Sequence, residues 1–220
     1  LTVGFLKSNH DKRKMKKHNL YYDLLEALGE EGCPICMESR SASKKYLSSI
    51  LTNGVNDPEL RRKLRGSLGF CSLHAREFRD LGDSLATAII YKDVVDTLLE
   101  DAEEKNEQKR RCPACDSVDA AEKDYIAAFI KYLSDAKLME KYDSSSGLCH
   151  PHLMTALKMI KRGAKSADII LEKENDKLRE LWGELAEFIR KKDYRYAHEI
   201  YGKERDSWIR AVEKISGTQR

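Results

Sequence analysis

Cys33-Pro34-Ile35-Cys36 with Gly69-Phe70-Cys71-Ser72-Leu73-His74, and then Cys112-Pro113-Ala114-Cys115 with Gly147-Leu148-Cys149-His150-Pro151-His152, are two copies of one pattern, and all six cysteines of the chain fall inside them. Cys36 and Cys71 are 35 positions apart and Cys115 and Cys149 are 34 apart, so the pattern reads as a duplication that kept its internal geometry. Each copy offers three thiolates and one imidazole, a donor set suited to a tetrahedral zinc ion. Taken in chain order, the candidate ligands are Cys33, Cys36, Cys71 and His74, then Cys112, Cys115, Cys149 and His152, for two ions per chain.

Each half of the pattern has a physical reason. A Cys-x-x-Cys turn lets two sulfurs converge on one atom, and the proline inside it fixes φ and removes a backbone donor. Cys and His three residues apart share one face at the first turn of a helix. There the unpaired N–H groups also favour thiolate. Gly69 and Gly147, two residues before each cysteine, allow a tight entry into that helix. His150 has no counterpart, since Ser72 stands in its place, and it reads as a non-ligand.

Other cysteine chemistries fit less well. A redox Cys-x-x-Cys centre usually sits on a βαβ scaffold, and no such pattern is present. Covalent haem needs His directly after the second Cys, where Met37 and Asp116 stand. An iron–sulfur cluster is the runner-up, because one histidine among the ligands is tolerated in some clusters. Paired thiols without a secretory signal read as metal ligands in a reducing cytoplasm and not as disulfides. Four protein ligands leave no open coordination position, which argues against catalysis at the metal. Within this reading Cys71→Ser is expected to weaken the first repeat selectively.

Outward from the motifs, helical periodicity runs along nearly the whole chain. Leu85, Ile89, Tyr91, Val94, Val95, Leu98 and Leu99 trace one face of a long helix, with Ser84 as its N-cap. Leu171, Leu178, Leu181, Trp182, Leu185, Phe188 and Ile189 trace an equivalent helix starting near Ser166. Gly82 and Gly163 break the chain before each one. Asn53-Gly54 ends the helix after the first motif, and Asp57-Pro58-Glu59 opens a short one. Each repeat therefore reads as a two-ligand turn, two helices, a helix bearing two ligands and a long return helix. The fold class is all-α: tandem duplicated helical repeats, each with a Cys3His metal site, plus a C-terminal helix from Glu204.

The expected divisions are an extension over residues 1–14, a first repeat over 15–110, a second over 111–192, and a C-terminal docking segment and helix over 193–220. The extension rests on Met15 preceding the first helical pattern and on six of the basic residues lying within residues 1–20. Charged residues make up 35% of the chain with a net charge of +3, which suits salt-bridge-laced helices and is a poor nucleic-acid signal. No run of about 18 apolar residues exists, which argues against a membrane span.

Asp193, Tyr194, Arg195, Tyr196, His198 and Tyr201 mix aromatics with cations, and Lys191, Lys192 and Lys203 lie beside them. This could be a nucleic-acid groove. The preferred reading is that the aromatics dock the last helix, the cations pairing with Glu199, Glu204 and Asp206, while Trp208, Ile209, Val212 and Ile215 form a packed stripe.

The duplicated Cys-Pro-x-Cys and Gly-x-Cys-x-x-His motifs, with the run Gly202-Lys203-Glu204-Arg205-Asp206-Ser207-Trp208-Ile209-Arg210-Ala211-Val212, resemble an uncharacterised prokaryotic family of about this length. The resemblance spans about Tyr21 to Gly217. It supports the ligand positions and the start near Met15, and implies no activity. The expectation is a cytoplasmic, non-enzymatic zinc protein that binds an unidentified protein or RNA partner, in an oligomeric state that the sequence leaves open. The alternative is an iron–sulfur or thiol-based redox sensor. RNA would be favoured by a basic face built from Lys44, Lys45, Arg61, Arg62, Lys63 and Arg65.

Overall fold

The computed structural model describes residues 19–100, 111–196 and 198–218; the expected extension over 1–14 lies outside them. Among the described residues the chain is all-α. A first helix, α1 (Asn19–Ala27), precedes α2 (Pro34–Ser49), which runs into a π-helical turn over Ile50–Gly54. Then come α3 (Pro58–Gly66), α4 (Ser72–Asp80) and α5 (Ser84–Glu100). The second repeat has α6 (Pro113–Lys131), α7 (Ala136–Ser144), α8 (His150–Met159) and α9 (Lys165–Lys191). A 3-10 turn over Lys203–Asp206 leads into α10 (Ser207–Ser216).

Local chemistry sets most of these boundaries. α2, α3, α6 and α8 each carry a proline in the first turn, where the missing N–H costs nothing. Asp57 caps α3 by accepting from the Glu59 N–H at 2.9 Å. Asp135 does the same for α7 through Leu138. For α5 the cap is one residue earlier than the expected Ser84: the Asp83 carboxylate accepts from the Ala86 N–H at 2.9 Å. Gly82 and Gly163 both have positive φ, at 84° and 78°, as breakers ahead of the long helices.

The central contact is α2 against α6. Glu38 near the start of α2 lies beside Tyr125 in the second half of α6, and Tyr46 near the end of α2 lies beside Cys112 and Asp116 at the start of α6. The two helices therefore run in opposite directions. Two cores flank this pair. One gathers Tyr125, Ile126, Phe129, Leu138, Tyr142, Leu153 and Ile170 from the second repeat, but also Tyr21, Leu24 and Leu28 with Cys33, Ile35 and Cys36 from the first. The other gathers Leu47, Ile50, Leu60, Leu64, Phe70, Phe78 and Ile90 from the first repeat, together with Cys112 and Ala114 from the second. Each half thus inserts the start of its Cys-Pro-x-Cys helix into the core of the other.

The long helices bury less than their patterns suggest. In α5 the buried stripe is Ala86, Ile90 and Val94, at intervals of four, while Leu85, Val95, Leu98 and Leu99 are exposed. Of α9, Ile170 and Glu174 are the buried residues, and Trp182 and Ile189 are exposed. The expected packed stripe on α10 is also overturned: Trp208, Ile209, Val212 and Ile215 are all exposed. The reason is that α10 docks through its charged side. Arg210 donates to Glu184 at 2.5 Å and Lys214 to Glu174 at 2.5 Å, so the apolar stripe faces away.

Candidate metal centres

The structure brings the eight cysteine and histidine ligand candidates into two clusters, in each of which the donor atoms all lie within 4.8 Å of one another. Two repeats give two clusters, but the pairing implied by chain order is exchanged. Cys33 and Cys36 meet Cys149 and His152, whereas Cys112 and Cys115 meet Cys71 and His74. Spacing within one repeat cannot reveal this, because both repeats carry interchangeable halves. The antiparallel α2–α6 pair decides it by carrying each Cys-Pro-x-Cys turn to the far repeat. With Cys71 grouped with Cys112 and Cys115, a substitution there is expected to act on both repeats and not on the first alone.

The distances fit a single ion. A tetrahedron with metal–sulfur bonds of about 2.3 Å and metal–nitrogen bonds of about 2.0 Å has edges of about 3.8 Å between sulfurs and about 3.5 Å from sulfur to nitrogen. In the first cluster Cys36 Sγ and Cys149 Sγ are 3.7 Å apart, and His152 Nδ1 is 3.4 Å from Cys33 Sγ, 3.4 Å from Cys36 Sγ and 3.0 Å from Cys149 Sγ. In the second, Cys71 Sγ and Cys115 Sγ are 3.7 Å apart, and His74 Nδ1 lies 3.2 Å from Cys71 Sγ, 3.7 Å from Cys112 Sγ and 3.4 Å from Cys115 Sγ. A disulfide, at about 2.0 Å between sulfurs, is far shorter, and all six cysteines are free.

Both histidines turn Nδ1 to the sulfurs and Nε2 to a carboxylate. Nε2 of His152 is 3.3 Å from Glu122 on α6. Nε2 of His74 is 4.0 Å from Glu77 on its own helix, and Glu77 accepts from Ser43 Oγ at 2.6 Å. A carboxylate hydrogen-bonded to a ligating imidazole fixes the tautomer and raises basicity, a geometry that Glu122 offers His152 and that Glu77 approaches only loosely at His74. The two repeats supply it from different elements.

The ionisable groups of each cluster shift one another's protonation. Burial disfavours a protonated His152, but the Cys149 and Cys36 sulfurs and Glu122 outweigh it and hold the ring's pKa up to about 11. Burial likewise opposes charge on Cys71, yet the N–H groups of His74 and Leu73 at the start of α4, with the neighbouring sulfurs, bring it below the ordinary thiol value. Burial pushes Cys115 up to about 12. In the first cluster the neighbouring sulfurs and His152 bring Cys36 below the ordinary thiol value while burial pushes Cys33 up, so each cluster holds one thiol lowered and another raised, and a bound metal would displace the protons that remain. His150 is exposed at the head of α8 and belongs to neither cluster.

Supporting residues escaped the sequence reading. Glu174, 1% exposed, accepts from the Leu148 N–H at 2.7 Å and from the Tyr142 hydroxyl at 2.5 Å, pairs with Lys214, and so pins the turn before Cys149. A Cβ on Gly147 would lie 2.5 Å from Glu174 Oε1, and this glycine has φ of +75°. Gly69 is likewise approached by Tyr91 on α5, whose ring would lie 3.2 Å from a Cβ there. Glu174 on the return helix thus excludes a side chain at Gly147, whereas at Gly69 the φ of +88° is the main demand and Tyr91 would have to shift by only a few tenths of an ångström. Gly147→Ala is expected to cost at least 2 kcal/mol or so, from the positive φ and the clash together, and a denaturant titration against the wild type measures it. Gly217, after α10, lies over the first cluster: a Cβ there would be 3.4 Å from Cys149 Sγ and 3.5 Å from Cys36 Sγ.

The C-terminal run is held by polar contacts to α9 and within itself. Lys191 donates to Glu204 at 2.6 Å, the Gly202 N–H donates to the same carboxylate at 2.8 Å, and Arg210 reaches Asp206 and the Lys203 carbonyl. The Phe188 and Tyr201 rings are 5.8 Å apart, and Arg190 lies over Tyr196 while pairing with Glu187 and Glu199. Of the cations of the supposed nucleic-acid groove, Lys191 pairs with Glu204 and Arg195 with Asp193, while Lys192 lies over the Phe188 and Tyr201 rings. In the basic face, Arg61 and Arg65 both pair with Asp93, and Lys63 with Glu59.

Fold and site together define a duplicated helical protein with two Cys3His clusters shared between its repeats. The chain belongs to a family of unknown function, DUF6062, whose pattern it matches over residues 15–110 and again over 99–220. It is 28% identical over 207 residues to an uncharacterised 23.9 kDa protein in the xynA 3' region of Caldicellulosiruptor sp. strain Rt8B.4, covering 89% of this chain and 100% of that one. No solved structure matches it.

Proposed function

We propose that the protein is a non-enzymatic zinc protein in which two structural ions, one in each Cys3His cluster, hold a helical scaffold that binds a protein partner. The observation that carries this reading is that four protein donors in each cluster lie within 4.8 Å of one another, with sulfur–sulfur separations of 3.7 Å and sulfur–nitrogen separations of 3.0–3.7 Å near the edges of a tetrahedron around one ion. A closed set of four leaves no position for substrate or an activated water, so the ion's work is structural. An iron–sulfur redox sensor is the alternative. A cluster of two or more irons would spread its ligands around a bridged core, and donors this close together suit one ion better.

A protein partner is favoured over RNA by the surface. Trp182 is 74% exposed on α9 and Trp208 is 54% exposed on α10, with Ile189, Val212 and Ile215 also open, whereas Arg61, Arg65, Arg190 and Lys191 are tied up in ion pairs. Exposed tryptophans of this kind are enriched at protein interfaces. Among the described residues no helix is long and apolar enough to cross a membrane. Ligand thiols persist in a reducing compartment, which supports the cytoplasm.

Elemental analysis with a visible spectrum on protein purified without oxygen tests the metal. Two zinc per chain and no colour are expected; iron with sulfide absorption would replace this reading with the redox one.

A further inference from the structure

We propose that the two halves of the chain, residues 19–100 and 111–218, are reciprocal partners that recognise one another without the segment joining them, and that the metal ions are what fasten them. The proposal rests on the metal-bound reading above and adds to it what the ions hold together.

The surface concerned is built by reciprocal insertion. α1 and the start of α2 leave the first half's own core and enter the second's. Tyr21 packs edge-on against Tyr132 at 5.0 Å between ring centres and donates to Asp135 at 2.7 Å, while the Tyr125 hydroxyl donates to Asp23 at 2.9 Å. In return, Cys112 and Ala114 at the start of α6 enter the core formed by Leu47, Leu64, Phe70 and Phe78. Each half therefore presents a groove shaped for the Cys-Pro-x-Cys helix of the other. Neither half holds four donors of one cluster: each brings a Cys-x-x-Cys pair to one and a Cys-x-x-His pair to the other. Both ions accordingly bridge the halves, and every metal–ligand set lost opens the same interface.

The partner this surface fits is the complementary half, whether from the same chain or from a second copy. With the ions bound, eight coordinate bonds lie across the interface. Removal of the ions is expected to part the starts of α2 and α6 from the facing halves and open Cys33, Cys36 and Cys112, which are buried where the halves meet.

The test uses the full chain with a protease site inserted between residues 100 and 111 and an affinity tag on the first half, cut while metal-loaded. The metal content of the uncut protein is measured first; its absence would defeat the metal reading itself, whereas a metal-loaded protein that fails after cutting would defeat this proposal alone. The cut protein is expected to stay together on the affinity resin with both ions, and to release the second half when a chelator is added under reducing conditions. Mixing with cut protein of a distinguishable mass should give exchanged pairs after stripping and reloading of metal. Halves that part while each keeps one ion would overturn the exchanged clusters. Halves that remain together after complete removal of metal would show that packing, and not the ions, fastens them.

Discussion

Replacing Cys36 and Cys149 together by serine is expected to lower bound metal from two ions per chain to one, whereas replacing Cys36 and Cys71 together is expected to remove both. The first pair of residues serves a single cluster; the second pair takes one sulfur from each. Structural zinc contributes an apparent binding free energy of about 10–16 kcal/mol in small metal-dependent domains, comparable with the ~5–15 kcal/mol that stabilises a whole domain. The Cys36/Cys149 variant should therefore keep one centre and part of its cooperative melting, while the Cys36/Cys71 variant should be unfolded under the same conditions. Native mass spectrometry of the as-purified variants, or the absorption of cobalt-substituted protein, counts the ions. Closure of each site within its own repeat would reverse the order, with Cys36/Cys71 retaining one ion and Cys36/Cys149 none. That result would refute the exchanged architecture.

The second large effect is expected at Glu174. Its carboxylate is buried and joins four elements: α9, which carries it; Tyr142 on α7; Leu148 in the turn before Cys149; and Lys214 on α10. Glu174→Ala would leave the Lys214 ammonium, itself about 10% exposed, without its buried partner. Breaking a buried ion pair from one side costs about 3–5 kcal/mol, and an unsatisfied Leu148 N–H adds about 1–3 kcal/mol. Denaturant unfolding of the metal-loaded protein should register that loss. Removing the other charge as well should recover part of it: the double variant Glu174→Ala, Lys214→Ala is expected to be less destabilised than the sum of the two single changes. Strict additivity would mean that the contact holds nothing together, and that α10 is placed over the first cluster by other means.

Glu174 also shows where sequence reading reaches its limit. It sits in an otherwise polar stretch, Glu172-Lys173-Glu174-Asn175-Asp176-Lys177, where nothing distinguishes it from a solvated helix face. Its burial follows from α9 crossing the Gly147 turn, a contact between residues 26 positions apart. The α10 stripe erred in the opposite sense. Trp208, Val212 and Ile215 share one face and suggested packing, yet Arg210 and Lys214 found acids on α9 and took the inner side. Apolar residues are commonly buried, but a helix can dock by whichever face its neighbour complements.

The chain's short-range physics was legible from the residues alone. Proline in the first turn, aspartate ahead of it, positive-φ glycines between elements and three-residue Cys–His spacing all act within one helical turn, so the element order and the eight candidate donors could be read off. Even there, adjacent candidates such as Asp83 and Ser84 were separated only by the geometry of the turn. Which Cys-x-x-Cys meets which Cys-x-x-His was decided by the tertiary structure. Duplication made the two motifs of each kind chemically equivalent, so no local preference could choose between them. The antiparallel packing of α2 on α6, and the apolar cores that close around each inserted helix start, made the choice.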